Sequence, residues 1–159
     1  ALRERVRMTN GEGTMRYEEG GNVHLDFHGA TNTTIDFIVE RFGVDAMDEI
    51  FKKVGRDVYA SIRNDLIAGD TRQLVRHWRH FFDREGADYD IAVGDDRVVL
   101  TVRRCPAWHH VKALTGSVSP HFCDQTSRTN EAMAEGSPFA IDTELTGEGS
   151  CRQVIRRRA

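Results

Sequence analysis

The chain has 159 residues, of which 39% are hydrophobic and 30% are charged, and its formal net charge is -3. This length suits one domain with a sizeable core and is short for two. The slightly acidic balance gives no electrostatic reason to bind nucleic acid or an anionic membrane, so we expect neither as a partner.

The number of cysteines bears on the cellular compartment of the protein. The three cysteines are an odd number, which does not make a closed disulfide framework. The sequence contains no secretory apolar region and no apolar run long enough to cross a membrane. We therefore expect a reducing, cytoplasmic setting in which the thiols are free or bound to a metal.

The N-terminal part divides into an arm and a first strand. Residues 1–21 mix charged side chains with glycines and show no sustained period, which predicts a flexible arm before a single domain over residues 22–159. In residues 22–28 apolar and polar side chains alternate, which is typical of a half-buried strand. His24 and His28 would then share its solvent-facing side.

Three helices are predicted next. The first, capped near Thr31 or Asn32, carries an apolar stripe that offers a contact for a second copy of the chain: Ile35, Phe37, Ile38 and Phe42. A long helix over residues 44–66 is expected to pack Ile50, Val54 and Val58 on a sheet.

Gly55 lies in the middle of that long helix, where a glycine costs about 1 kcal/mol relative to alanine, and indicates close packing. The third helix begins near Asp70 and ends at Gly86. We expect its aromatic residues Trp78, Phe81 and Phe82 in the core, and His77 and His80 on the surface.

The C-terminal half predicts two β-hairpins and two short helices. Residues 88–93 and 97–103 form the first hairpin, and residues 138–145 and 151–155 form the second. Pro106 and Pro120 each suit the first turn of a helix. The predicted fold class is therefore α+β, an antiparallel sheet of four or five strands with helices packed on one side.

All three cysteines and three of the seven histidines lie between Arg104 and Cys151. Cys105 precedes Pro106 near a helix N-terminus, where backbone N–H groups lower the pKa of a thiol. Thiols and imidazoles are the materials of a soft-metal site or of nucleophilic cysteine chemistry, although buried cysteine is also a common core residue. Residues of interest are Cys105, His109, His110, His121, Cys123, Asp124 and Cys151.

The succession Arg104-Cys105-Pro106, Phe122-Cys123-Asp124 and Leu145-Thr146-Gly147-Glu148-Gly149-Ser150-Cys151 resembles the L-2-amino-thiazoline-4-carboxylic acid hydrolase family over roughly residues 35–157. It is more distantly similar to vinyl-reductase-type small-molecule-binding domains. The resemblance implies a homodimeric α/β domain around a small-molecule pocket. It also implies a zinc ion held by Cys105, Cys123 and Cys151, with a fourth ligand among His109, His110, His121, Asp124, Glu131 and Glu135.

Two functions are expected from this. The first is a hydrolase that opens a small cyclic C=N ring, thiazoline or amidine in type. Its base would be His109, His110 or His121, oriented by Asp124, or its nucleophile would be Cys123 or Cys105. The second is a non-enzymatic small-molecule-binding domain in which three thiolates and one further ligand close a structural zinc site.

Overall fold

The computed structural model describes residues 25–159, and the predicted arm and His24 lie outside that range. The helices are α1 (Asp26–Phe42), α2 (Val44–Lys53), a π-helical turn (Val54–Val58), α3 (Ala60–Ile67), α4 (Arg72–Glu85), α5 (Pro106–Thr115) and α6 (Asp124–Ala134). The strands are β1 (Asp88–Val93), β2 (Arg97–Arg104), β3 (Phe139–Gly147) and β4 (Ser150–Arg157).

The four strands form one antiparallel sheet in the order β1-β2-β4-β3, which confirms the predicted α+β class and both hairpins. Because side chains alternate along a strand, one face of β2 carries the buried residues Val98, Leu100 and Val102. Ile155 of β4 lies opposite Val98 and extends the same buried face.

Helix α4 forms where the sequence predicts it. Its apolar residues recur at helical spacing, so Leu74, Trp78 and Phe82 are all buried, and Phe81 is half-buried beside them. Gly86 ends the helix in the left-handed conformation, with φ of 66°. The surface position predicted for His77 is wrong, because its ring lies against Tyr59 at a centroid distance of 5.2 Å.

The strand predicted over residues 22–28 is wrong where the structure describes it, because α1 already begins at Asp26. The buried residues of α1 are His28, Gly29, Asn32 and Ile35, spaced three to four apart as on one helical face. That face is mostly polar or small, so the apolar pattern does not reveal it. Phe37 and Phe42 of the predicted dimer stripe are exposed, and the homodimer stays a prediction.

The long helix predicted over residues 44–66 is broken by the π-helical turn between α2 and α3. The extra residue of the π-helical turn rotates the helix that follows it, and Ile62 and Leu66 of α3 are buried while Val58 in the turn is exposed. Before the turn, Met47 is buried and Ile50 is exposed. The turn packs on α6 rather than on the sheet, and α6 in turn packs on β3.

Gly55 shows why this turn lies so close to α6. A Cβ atom at Gly55 would lie 2.6 Å from the backbone oxygen of Thr129 and 2.8 Å from the Cβ of Ala132. The predicted close packing around Gly55 is therefore confirmed, and its partner is the backbone of α6.

The helices surround two apolar clusters. One joins α3, α4 and the end of α6 to the sheet, and the other joins α1, α2 and α5 to Phe122. The start of α6 is later than predicted, since Phe122 and Cys123 belong to the turn before Asp124. Within residues 25–159, no helix combines the length and apolar character needed to cross a bilayer.

Replacing Gly55 with alanine is expected to lower the free energy of unfolding by about 1–3 kcal/mol, because the added methyl group meets backbone that cannot move aside. Gly29→Ala is the matched control, since its Cβ would meet only the flexible end of the exposed Leu114 side chain. Urea unfolding of both variants measures the difference. Equal stability of the two variants contradicts this account of the turn.

Candidate functional site

A cavity of about 310 Å³ lies between the two apolar clusters. Its volume is at the small end of the range of about 300–1,000 Å³ that is typical of ligand pockets. Aromatic side chains form much of the wall: Phe27, Phe51, Trp78, Phe81, Phe82 and Phe122. The aromatic residues of α4 are thus core residues whose inner edges face a cavity.

All three cysteines line this cavity. Cys105 precedes α5 and contacts both apolar clusters, Cys123 precedes α6, and Cys151 lies in β4 between Val102 and Leu145. The three thiols are free and half-buried. The segment from Cys105 to Cys151 therefore folds so that all three thiols line the same cavity.

The turn between β3 and β4 is tied to the start of α5. The backbone N–H of Cys105 donates to the carbonyl oxygen of Gly149 at 2.7 Å. Gly149 has a φ of 65°, and a Cβ there would lie 2.8 Å from Nε2 of His109 and 2.9 Å from the ring of Trp108. Only glycine fits this approach, which holds the last hairpin beside Cys105.

The electrostatics of the site favour neutral thiols. Burial raises the pKa of Cys105 by more than the N–H groups of Ala107 and Trp108 lower it, so the lowered pKa expected from its place at the α5 N-terminus is wrong. Burial also raises the pKa of Cys151. Burial first, and then the neighbouring Cys105 and Cys151, raise the pKa of Cys123 to about 12.

The donor types at this cavity suit zinc, because thiolates are soft ligands. Within residues 25–159, however, no three His, Cys, Asp or Glu side chains are placed so that they could hold one metal ion. The predicted carboxylate ligands point elsewhere: Glu131 pairs with Arg128 at 2.8 Å and Glu135 with Arg56 at 3.0 Å. Zinc on the cysteines stays a prediction.

A buried histidine–carboxylate pair stands on the cavity wall. Nε2 of His28 lies 3.0 Å from both carboxylate oxygens of Glu85, and these side chains are 6% and 1% exposed. His28 lines the cavity, and its ring packs on Phe27 at a centroid distance of 4.0 Å. Glu85 lies near enough to Cys105 to contribute to the rise of that thiol's pKa.

The histidines predicted from the sequence lie outside the lining of this cavity. His110 contacts the exposed Asp26 at 3.1 Å, and Nδ1 of His121 contacts Asp124 at 2.8 Å. His109 packs against Trp108 and Gly149. The predicted orientation of His121 by Asp124 is present in the structure, but this half-buried pair does not line the cavity.

Sequence reasoning missed His28, Glu85, Asn130 and Gln153. Asn130 and Gln153 line the cavity and are each 3% exposed. The available signal was a polar residue on a face that must be buried, such as Asn130 beside Ala132 and Met133 in α6. Recognising such a face requires knowledge of which side of the helix meets the sheet.

Comparison of the chain with models of known protein families and with curated proteins gives no match. The geometry of the cavity therefore carries the functional argument.

His77 lines the cavity, and burial, with a smaller effect of His80, lowers its pKa to about 4. The ordinary pKa of a histidine is about 6.5, so between pH 6.5 and pH 4 His77 binds a proton in the unfolded chain but not in the folded chain. Stability is therefore lost as the pH falls through this window. We expect the free energy of unfolding of His77→Phe, which keeps an aromatic ring, to fall by on the order of 2 kcal/mol less than that of the wild type over this pH range.

Denaturant unfolding of the wild type and of His77→Phe at pH 7, 5.5 and 4 measures this effect. Other titrating groups are common to both chains and cancel in the difference. Parallel pH dependences of the two chains contradict the assignment.

Proposed function

We propose that this chain binds a small ring molecule in the cavity and hydrolyses a cyclic C=N bond in it. His28 is the general base in this proposal, and Glu85 orients it. The observation that carries the proposal is the buried His28–Glu85 pair on the wall of a thiol-lined, ligand-sized cavity. A carboxylate that holds one nitrogen of a histidine is a recurrent arrangement in enzymes that activate a nucleophile.

The pairing determines which nitrogen of His28 acts. An ionised Glu85 only accepts hydrogen bonds, so a neutral His28 carries its proton on Nε2 and donates it to that carboxylate. Nδ1 is then the basic nitrogen and accepts a proton from water. The water oxygen bonds to the carbon of the C=N group, and His28 gives the proton to the ring nitrogen. His28 then carries the proton of the new hydroxyl group to the same nitrogen, so that the C=O bond forms as the ring C–N bond breaks.

The state of the thiols supports water as the nucleophile rather than cysteine. A thiol attacks as its thiolate, and the raised pKa values of the three cysteines keep them protonated near neutral pH. Protonated thiols and aromatic rings make an apolar wall that limits competing water. In such surroundings the charge that develops at His28 interacts strongly with Glu85.

A reducing cytoplasm, which keeps the three thiols free, is part of the same proposal. So is pairing of two copies of the chain through α1, where Phe37 and Phe42 are 52% and 70% exposed.

Glu85→Gln keeps a hydrogen-bond acceptor for His28 but removes the negative charge. We expect kcat for opening of 2-amino-2-thiazoline to fall by about 10²–10³, with KM changed less than about threefold, because a positioned general base contributes about 10²–10⁴. Mass spectrometry detects the product as the ring plus one water. Asp26→Asn is the matched control, since it makes the same change beside His110 on the surface.

A purely structural role of Glu85 predicts a different result. The variant would then lose stability and binding together, with kcat per folded molecule and the pH dependence of kcat unchanged. Equal loss of activity in Glu85→Gln and Asp26→Asn also contradicts the assignment.

A structural zinc site is the second candidate, favoured by three thiols on one cavity, of which Cys105 and Cys151 lie near enough to Cys123 to raise its pKa. A bound cation would stabilise all three as thiolates and release protons. In this case, protein purified without chelator carries one zinc per chain, and a chelator lowers its melting temperature. Cys151→Ser would remove the metal, and zinc-free wild-type protein with an unchanged melting temperature contradicts the candidate.

A further inference from the structure

The wall of the cavity carries no fixed charge. Among residues 25–159, no lysine, arginine, aspartate or glutamate lines it, and its polar part consists of histidine rings, hydroxyl groups, thiols and carboxamides. Glu85 stands behind His28 and is already paired with it. An anionic group entering this space would find no side-chain cation to replace its hydration.

This absence bears on the substrate. Burying an ionised carboxylate without a partner is very unfavourable, whereas a neutral ring loses little on leaving water and gains contact with aromatic side chains. The resemblance found in the sequence implies a ring that carries a carboxylate. The cavity of this chain favours a neutral ring.

Asn130 provides the directional contact. Its Nδ2 donates to Oε1 of Gln153 at 2.7 Å and to Oγ1 of Thr143 at 3.1 Å, so both of its amino hydrogens are engaged. No hydrogen bond from residues 25–159 reaches Oδ1 of Asn130, although this side chain is almost fully buried and lines the cavity. This oxygen is not enclosed by protein, so water in the cavity can reach it, and a ligand N–H can take that water's place.

We infer that the cavity selects an uncharged, flat heterocycle that donates an N–H group to Oδ1 of Asn130, and that it discriminates against the same ring bearing a carboxylate. The inference rests on the proposed function, since it takes this cavity as the substrate site. Asn130 is the specificity-determining residue, and the aromatic side chains of α4 supply the apolar contact.

Calorimetric titration with three probes tests both parts. The probes are 2-aminothiazole, which is neutral at pH 7.5, its 4-carboxylate, and thiazole, which lacks the amino group. We expect wild-type protein to bind 2-aminothiazole at least about tenfold more tightly than either of the others, the ratio that one lost buried hydrogen bond or one unpaired charge produces. In Asn130→Ala, 2-aminothiazole and thiazole should bind within about twofold of each other.

A gain-of-binding variant keeps the test independent of the stability of Asn130→Ala. Leu145 lines the cavity yet is 55% exposed, so the fold tolerates a long polar side chain there. Leu145→Arg should bring binding of the 4-carboxylate to within about threefold of that of 2-aminothiazole, because it supplies the missing cation. Leu145→Gln, which is polar but uncharged, should leave the wild-type ratio unchanged.

Tighter binding of the 4-carboxylate by wild-type protein, or no binding of 2-aminothiazole, overturns the inference. So does an unchanged preference for 2-aminothiazole over thiazole in folded Asn130→Ala. Selective binding of the neutral ring without turnover of any thiazoline supports the inference and refutes the proposed hydrolysis. Turnover with a preference for carboxylate-bearing rings supports hydrolysis and refutes the inference.

Discussion

A carboxylate that is removed from water requires a partner, and in this protein that requirement joins two helices that are distant in the sequence. Glu85 ends α4 with its side chain 1% exposed, and His28, at the start of α1, supplies the matching nitrogen. Leaving either group alone would cost several kcal/mol, since an unpaired buried charge is among the most destabilising changes a protein can undergo. Helix α1 packs on α2 and α5, and this pair adds a link from its start to the end of α4 at one wall of the cavity.

The opposite wall depends on backbone contacts rather than on charge. The bond from Cys105 N–H to the Gly149 carbonyl oxygen holds the turn between β3 and β4 against the start of α5. Gly55 allows the π-helical turn to approach α6, which carries Asn130 to the cavity. Two glycines therefore set distances that side-chain packing could not, because in each case a Cβ atom would overlap a neighbouring group.

The wall of the cavity has an aromatic part and a polar part. Aromatic side chains from α1, α2 and α4 line part of the wall, and another part is formed by Asn130, which donates to Thr143 and Gln153. A buried polar network of this kind stabilises a unique arrangement only when its members are satisfied. Oδ1 of Asn130 takes no part in these bonds and stays accessible in the cavity, where a ligand N–H can reach it.

The sequence alone determined the elements whose buried face is apolar. The β-branched apolar run of β2, the helical spacing of aromatic residues in α4, and Pro106 at the start of α5 each identify their structure locally. The cluster of cysteines also indicated where a site would be, and all three thiols do line one cavity. The sequence could not determine which side chains from different helices and strands contact one another.

Tertiary structure decided the polar face of α1, the break in the long helix and the identity of the buried histidine. His28, Gly29 and Asn32 face the interior because their partners come from other elements, and a polar residue is compatible with burial only once such a partner is in place. For the same reason the sequence did not distinguish the buried His28 from the other histidines, since its partner Glu85 lies 57 positions away in the chain. Apolar periodicity is a local signal, whereas the satisfaction of a buried polar group is decided by distant parts of the fold.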